Sequence, residues 1–166
     1  MASADEGAFE RLVGQLLHER GLSLAVAESC TGGLLSHRIT NVPGSSAYFN
    51  GAVVAYSNAV KQALLGVRPE SLVQFGAVSE PVAREMARGV RLLLQAGLGL
   101  SVTGVAGPGG GTPDKPVGLV FIGLSSAEGE WAERYLWGGD REQNKALSAE
   151  AALDLLRRYL DGGLGR

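Results

Sequence analysis

The stretch from Leu22 to Gly33 restricts the possible folds of this chain more than any other part of the sequence. It begins with alternating apolar residues and then breaks into Ser29-Cys30-Thr31-Gly32-Gly33. Apolar residues at helical spacing follow, between Leu34 and Ile39. A strand, a tight turn and a helix in this order predict an α/β fold. In open α/β sheets ligands bind beyond the carboxyl ends of the strands, so this turn is the first candidate for a functional site.

The turn itself allows two interpretations. As a site, it offers hydroxyl groups, two glycines that let a ligand approach the backbone, and N–H groups that can hold an anion or an oxyanion. As a plain connection, it is a polar link in which Thr31 caps the next helix. Short Gly/Ser/Thr motifs occur by chance, so the rest of the chain has to decide between the two.

The remaining pattern predicts one domain, residues 1–166, of class α/β. Helices are predicted from Glu6 to Arg20, after Ser57, from Ser79 and after Asp140. A single helical turn is predicted from Glu70 to Val73. Strands are expected at Ser23–Glu28, Phe49–Tyr56, Leu98–Val105, Val117–Ser125 and Trp131–Trp137. Early strand–helix units and a late hairpin predict a three-layer α/β/α sandwich with a mixed, mostly parallel five-stranded sheet.

Composition excludes several classes of function. With 166 residues, 19% charged residues and a net charge of -2, the sequence has no basic excess for nucleic acid. No apolar run approaches the length of a membrane span, and the polar amino end is unlike a signal peptide, so a cytoplasmic location is expected. One cysteine and two histidines leave little material for a disulfide, a metal site or a Ser-His-Asp triad. Neither a metal nor a cofactor is expected.

Three segment ends are expected to meet at one edge of the sheet: Ser29–Gly33, Tyr56–Lys61 and Thr103–Gly111. Together they supply a hydroxyl, a lysine, a phenol and many backbone donors. A Ser–Lys pair can perform acyl transfer if burial lowers the lysine pKa. Tyr56 is then a candidate to relay the proton or to orient Lys61. From spacing alone, however, Lys61 is more often a surface lysine, and the alternative interpretation of Tyr56 is a core aromatic at the end of a strand.

A second glycine-rich segment follows the predicted strand that ends at Val105. The loop around Gly107, Gly109 and Gly110 suits a phosphate or a flat ring held against backbone, although it lacks the ending of a P-loop. Arg141 behind Gly-Gly-Asp could bind a phosphate with two donors. A flexible loop and a surface arginine are the alternative interpretations.

Four motifs in order identify a family resemblance. Ala-Glu-Ser-Cys-Thr-Gly-Gly (27–33), Gly-Ala-Val-Val-Ala-Tyr-Ser-Asn (51–58) with Lys61, Phe-Gly-Ala-Val-Ser-Glu (75–80) and Thr-Gly-Val-Ala-Gly-Pro-Gly-Gly-Gly (103–111) resemble the CinA carboxyl-terminal domain family. Pro-Asp-Lys-Pro-Val-Gly (113–118) and Gly-Asp-Arg (139–141) extend the resemblance to nearly the whole chain. It implies a three-layer α/β/α fold, a homo-oligomer, and deamidation of nicotinamide mononucleotide (NMN) to nicotinate mononucleotide and ammonia.

By this resemblance Ser29 is the nucleophile, Lys61 its base and Tyr56 a further catalytic residue. The substrate-binding set is Thr31, Gly32, Gly33, Thr103, Gly107, Gly109, Gly110 and Arg141. Lys145 stands where an arginine is common in the family. The pyrophosphatase activity of a larger amino-terminal domain, found in many relatives, is not expected of these residues.

Two alternatives stay open. In the first, Cys30 is the nucleophile, assisted by Glu28 and Lys61. In the second, the chain is a non-catalytic nucleotide-binding or interaction module.

Overall fold

The computed structural model of the protein describes residues 7–165. Six helices, α1 to α6, one short 3-10 helix (Ser45–Ala47) and five strands, β1 to β5, occur in this range. The helices are α1 Ala8–Glu19, α2 Leu34–Thr40, α3 Asn58–Leu65, α4 Pro69–Phe75, α5 Glu80–Leu93 and α6 Arg141–Leu160. The strands are β1 Leu24–Glu28, β2 Phe49–Val54, β3 Leu98–Gly104, β4 Leu119–Ser125 and β5 Glu130–Leu136.

The strands form one sheet in the order β2-β1-β3-β4-β5. β1 pairs in parallel with β2 and β3, whereas β4 is antiparallel to both β3 and β5. Four of the five strands therefore point the same way, and the predicted mixed sheet is confirmed. The carboxyl ends of β1, β2 and β3 meet at one edge, which is the edge that carries the candidate site.

Helices cover both faces of the sheet, which confirms the three-layer arrangement. On one face, Val13 of α1, Leu35 of α2 and Leu153 of α6 pack on Leu100 and Ile122 of the sheet. On the other face, α3, α4 and α5 pack on the alanines of β1 and on the carboxyl end of β2. Because side chains of β3 alternate between the faces, its leucines enter the first core, while Gly99, Ser101 and Thr103 face α5.

Helix α5 lies unusually close to the sheet. A Cβ on Gly123 of β4 would lie 2.4 Å from the carbonyl oxygen of Ala83, and Ser101 Oγ donates to that same oxygen at 2.6 Å. On its other side α5 meets α3, where a Cβ on Gly89 would lie 1.8 Å from Leu65 O. Small residues at these crossings thus fix the position of α3, the helix that carries Lys61.

Several predicted helix boundaries, and the expected exposure of the charged residues on α5, differ from the structure. The single turn predicted from Glu70 is the full helix α4, which begins with Pro69 at its first position. Charged residues of an amphipathic helix such as α5 are expected on its solvated face, which is wrong for Glu85. That carboxylate is buried, where it accepts from Arg68 Nε at 3.0 Å and Ser71 Oγ at 2.6 Å. The predicted start of α1 at Glu6 lies outside the described residues.

No helix in residues 7–165 combines the length and apolarity needed to cross a bilayer.

Candidate active site

The structure brings Ser29 and Lys61 into direct contact at the edge of the sheet. Ser29 directly follows β1, and its N–H donates to Val102 O of the neighbouring strand at 2.9 Å. Lys61 lies on α3, which Ser57 caps by accepting from Val60 N at 3.2 Å. The ammonium of Lys61 donates to Ser29 Oγ at 3.1 Å and to the carbonyl of Ala55 at 2.9 Å.

Burial shifts the protonation equilibrium of Lys61 toward the neutral amine. Lys61 is only 2% exposed, so the surface interpretation of this lysine is wrong. Desolvation lowers the pKa of Lys61, because the charged ammonium loses its hydration without a carboxylate partner among the ion pairs of residues 7–165. Deprotonated, the amine can accept the Ser29 proton across the same distance. The pair therefore has the geometry and the electrostatics of a nucleophile with its base.

The neighbouring thiol is in the opposite condition. Cys30 is buried, and desolvation raises the pKa of its thiol to about 12. A nucleophilic cysteine needs the thiolate, whereas this environment keeps the proton on sulfur. Within the described residues, Lys61 Nζ donates to Ser29 Oγ and to Ala55 O, and not to Cys30.

Glu28 has a structural role that the sequence did not reveal. Its fully buried carboxylate accepts from the N–H groups of Leu35 at 2.9 Å and Ser36 at 3.0 Å, and from the Ser36 hydroxyl at 2.5 Å. It thereby satisfies the start of α2 and locks the turn between β1 and α2. Because these hydrogen bonds occupy the carboxylate of Glu28, the structure does not support a role for Glu28 in assisting Cys30 as a nucleophile. The one feature of the sequence that could have indicated this role is the position of an acidic residue shortly before a predicted helix.

The turn residues differ from their predicted roles. Gly33, with φ +103°, is the N-cap of α2, so the interpretation of Thr31 as its cap is wrong. The Thr31 hydroxyl is buried and has no hydrogen-bond partner within residues 7–165. Gly32, with φ +60°, uses its N–H in a bond of 3.1 Å to Ser29 O. That N–H is therefore unavailable for an oxyanion.

A cleft of about 260 Å³ opens beside the pair. Four segments line it: the turn after β1, Tyr56 shortly after β2, the glycine-rich loop after β3, and Arg141 at the start of α6. The first three were predicted to meet at this edge. The lining residues are Ser29, Cys30, Tyr56, Gly104, Val105, Ala106, Gly107, Gly109, Gly110 and Arg141.

Arg141 joins two of these segments. At the first position of α6, its guanidinium donates to Gly107 O at 2.7 Å and to the Tyr56 hydroxyl at 3.0 Å. Tyr56 is 63% exposed, so it is not a core aromatic. Its hydroxyl contacts Arg141, and no hydrogen bond links it to Lys61 in the described part of the chain. A proton relay through Tyr56 therefore has no support in this geometry.

Thr103 lies outside the cleft. Its side chain is buried on the α5 side of β3, and its hydroxyl donates to Ala77 O at 2.8 Å. The family resemblance implied that Thr103 binds substrate. The alternation of side chains along β3 turns it to the other face instead, where it supports the connection between α4 and α5.

Helix α6 contributes two residues that were not among the predicted site residues. Asn144 is buried and donates to the carbonyls of Ala106 and Gly139, both at 3.0 Å, while accepting from Gly139 N. It thus joins the glycine-rich loop to the segment that precedes Arg141. The ammonium of Lys145 would lie 3.8 Å from a Cβ on Gly32, beside the turn.

Within residues 7–165 no three His, Cys, Asp or Glu side chains come together as a metal-ligand group.

Comparison with known proteins identifies relatives of this chain. The model of the CinA C-terminal domain matches residues 6–160. A CinA-like protein of Desulfotalea psychrophila is 52% identical over 157 residues, which are 94% of this chain and 38% of that protein. A CinA-like protein of Synechococcus elongatus is 51% identical over 159 residues, 95% of this chain and 38% of that protein. The chain thus spans about two-fifths of the length of these curated relatives.

Solved structures share the fold over their whole length. The competence/damage inducible protein CihA from Agrobacterium tumefaciens superposes with a TM-score of 0.91 at 36% identity, covering 97% of this chain and 98% of that one. A CinA superfamily protein from Klebsiella pneumoniae gives the same TM-score at 31% identity, covering 95% and 98%.

Proposed function

Since this chain belongs to the CinA C-terminal domain family, we propose that it is an amidohydrolase that converts NMN to nicotinate mononucleotide and ammonia through a Ser–Lys acyl-enzyme. The contact of 3.1 Å between the buried amine of Lys61 and the hydroxyl of Ser29 carries this proposal. Burying a lysine removes its hydration and costs free energy that folding alone does not require. Acyl transfer, by contrast, requires an amine with a lowered pKa in contact with the serine.

Acylation begins with neutral Lys61. Ser29 Oγ attacks the carboxamide carbon while the amine accepts the serine proton. The tetrahedral oxyanion then collapses, the C–N bond breaks, and Lys61 delivers the proton to the departing nitrogen, which leaves as ammonia. Candidate oxyanion donors are the N–H groups of Thr31 and Gly33, because neither donates to another acceptor in residues 7–165. Such a donor contributes about 3 kcal/mol to the transition state.

Deacylation repeats the same proton transfers with water. Lys61 accepts a proton from water, which attacks the nicotinoyl ester carbon, and the bond to Ser29 Oγ breaks. The protonated amine returns the proton to Ser29, and the acid product leaves as its carboxylate after losing its own proton to solvent. One water is consumed and one ammonia is released per turnover, so no further reactant is needed.

Two cations favour a substrate that carries a phosphate. Arg141 and Lys145 lie four residues apart in the first turns of α6, a position where the helix dipole disfavours positive charge. Neither forms an ion pair within the described residues. An anionic ligand beside the cleft would offset the unfavourable electrostatics of these two cations with each other and with the helix dipole. This supports a nucleotide over a free pyridine carboxamide as the substrate.

The test is ammonia release from NMN by the wild type, Ser29→Ala and Cys30→Ala, with folding of each checked by circular dichroism. We expect Ser29→Ala to lose at least about a thousandfold in kcat, because no hydroxyl remains to be acylated. Cys30→Ala should retain activity within about threefold, since its protonated thiol takes no part in the reaction.

Loss of activity in Cys30→Ala alone would instead move the nucleophile to the thiol. A folded wild type that binds NMN without releasing ammonia would contradict the proposed reaction and favour the non-catalytic module.

A further inference from the structure

The bend between α4 and α5, residues 75–79, is held by side-chain hydrogen bonds, most of which come from outside the bend. Its four successive carbonyls, from Phe75 to Val78, each accept a side-chain hydrogen bond. Ser79 Oγ donates to Gly76 O and Thr103 Oγ1 to Ala77 O, both at 2.8 Å. The other two carbonyls, those of Phe75 and Val78, share one donor, the ammonium of Lys115.

Lys115 reaches this bend from the glycine-rich loop, residues 106–118. Its Nζ lies 3.0 Å from Phe75 O, at the carboxyl end of α4, where a cation is favoured. The ammonium also lies 5.9 Å from the centre of the Phe121 ring. Two backbone contacts fix the base of this side chain: Lys115 N donates to Thr112 Oγ1 at 3.0 Å, and Thr112 N donates to Lys115 O at 2.9 Å.

The part of the loop that lines the cleft depends on its anchors. Gly109 and Gly110 are exposed and have no side chains to pack. Their N–H groups donate to no acceptor within residues 7–165, so nothing local fixes their conformation. One end of the loop is held from α6, through Arg141 on Gly107 O and Asn144 on Ala106 O. At the other end, Gly118 N donates to Val105 O at 2.7 Å, and Lys115 is the side-chain anchor.

We propose that Lys115 is a positioning residue that ties the glycine-rich loop to the bend 75–79 and so holds Gly109 and Gly110 in place as the wall of the cleft. It does not touch the reacting atoms. Its effect is on how well the bound substrate is held, and this consequence rests on the proposed function. The tether itself is a property of the fold and can be tested separately.

The experiment compares Lys115→Met, which keeps the aliphatic stem but removes both hydrogen bonds, with Lys115→Arg, which can still donate to two carbonyls. Arg134→Met, at an exposed cation of β5, is the matched control. For Lys115→Met we expect KM for NMN to rise at least about fivefold with kcat within about twofold. Hydrogen exchange of peptides spanning 106–118 should become faster, while peptides from α1 stay unchanged.

Lys115→Arg should restore KM to within about twofold of the wild type, and Arg134→Met should match the wild type throughout. Should Lys115→Met fail to fold, Thr112→Ala, which loosens the base of the side chain, should give a smaller change in the same direction. Unchanged exchange and unchanged KM in Lys115→Met would overturn the proposal. If the wild type releases no ammonia, the proposed function fails, and the exchange measurement alone still decides whether the tether exists.

Discussion

Lysine side chains are seldom buried. Lys61 is buried because α3 packs against α5 and the end of β2. Its amine is directed at Ala55 O and Ser29 Oγ. Its lowered pKa has a consequence for activity. Under the proposed function, the amine is protonated at low pH and cannot act as a base, so we expect activity to rise as the pH rises through the pKa of Lys61.

We therefore expect kcat/KM for NMN to rise with pH, with a midpoint below about 10.4, the value for an unperturbed lysine. Ammonia release across the pH range in which the protein stays folded measures this limb. Lys145→Met, which changes an ammonium that does not contact Ser29, should lower activity while leaving the midpoint in place. A profile that falls with rising pH from neutrality would contradict the role of Lys61.

Glu28 supports the site by holding the turn between β1 and α2, and its replacement tests that role. Glu28→Gln keeps the size but replaces one acceptor oxygen by an amide that faces N–H groups of α2. We expect it to reduce the free energy of unfolding by about 2–3 kcal/mol, because charged hydrogen bonds are lost and a buried donor is left unpaired. Urea unfolding measures the change. Glu128→Gln, at an exposed turn, should change it by less than about 0.5 kcal/mol; equal effects of the two variants would show that the Glu28 contacts add nothing.

At the scale of elements, the position of Lys61 depends on how closely α3 approaches α5. Gly89 of α5 allows this approach, because a Cβ there would lie 1.8 Å from Leu65 O, at the end of α3. Alanine normally stabilises a helix relative to glycine by about 1 kcal/mol. At this crossing the added methyl must instead push α3 outward and take Lys61 with it.

Gly89→Ala is accordingly expected to destabilise the protein by about 3 kcal/mol and to reduce kcat for ammonia release. Thermal unfolding and a rate assay on the folded fraction measure the two effects. Gly138→Ala is the matched control, since a Cβ at Gly138 meets no atom within 4 Å. A Gly89→Ala variant as stable as Gly138→Ala would show that the crossing tolerates a methyl group.

At the scale of the whole molecule, the two hydrophobic cores share one sheet, because neighbouring residues of β1 enter opposite cores. Loss of either core exposes the other face of the same strands. We expect a single cooperative unfolding transition, with tryptophan fluorescence, which reports Trp131 and Trp137 near β5, coinciding with far-ultraviolet circular dichroism. If the predicted homo-oligomer forms, the midpoint will also rise with protein concentration. Separate transitions for the two probes would contradict the single domain.

The order of the elements, the turn after β1 and the glycine-rich loop could be predicted from the sequence. These features depend on periodicity and turn residues within short segments, and the chain carries those patterns locally. The topology of α/β sheets then predicted that the turn and the loop meet at one edge, since the carboxyl ends of parallel strands lie together. The boundaries that were missed, such as the full length of α4, lie in a stretch where the apolar periodicity is weak.

The states of individual residues were decided by the tertiary structure. Lys61 becomes a buried amine only because residues 32 positions apart meet, and its spacing alone favoured a surface lysine. Thr103 turns to α5 and not to the cleft through the alternation of β3, and Glu28 binds the start of α2 through a turn whose shape no local pattern specifies. A pKa and an exposed fraction depend on contacts between elements, and the sequence of one segment contains no information on what packs against it.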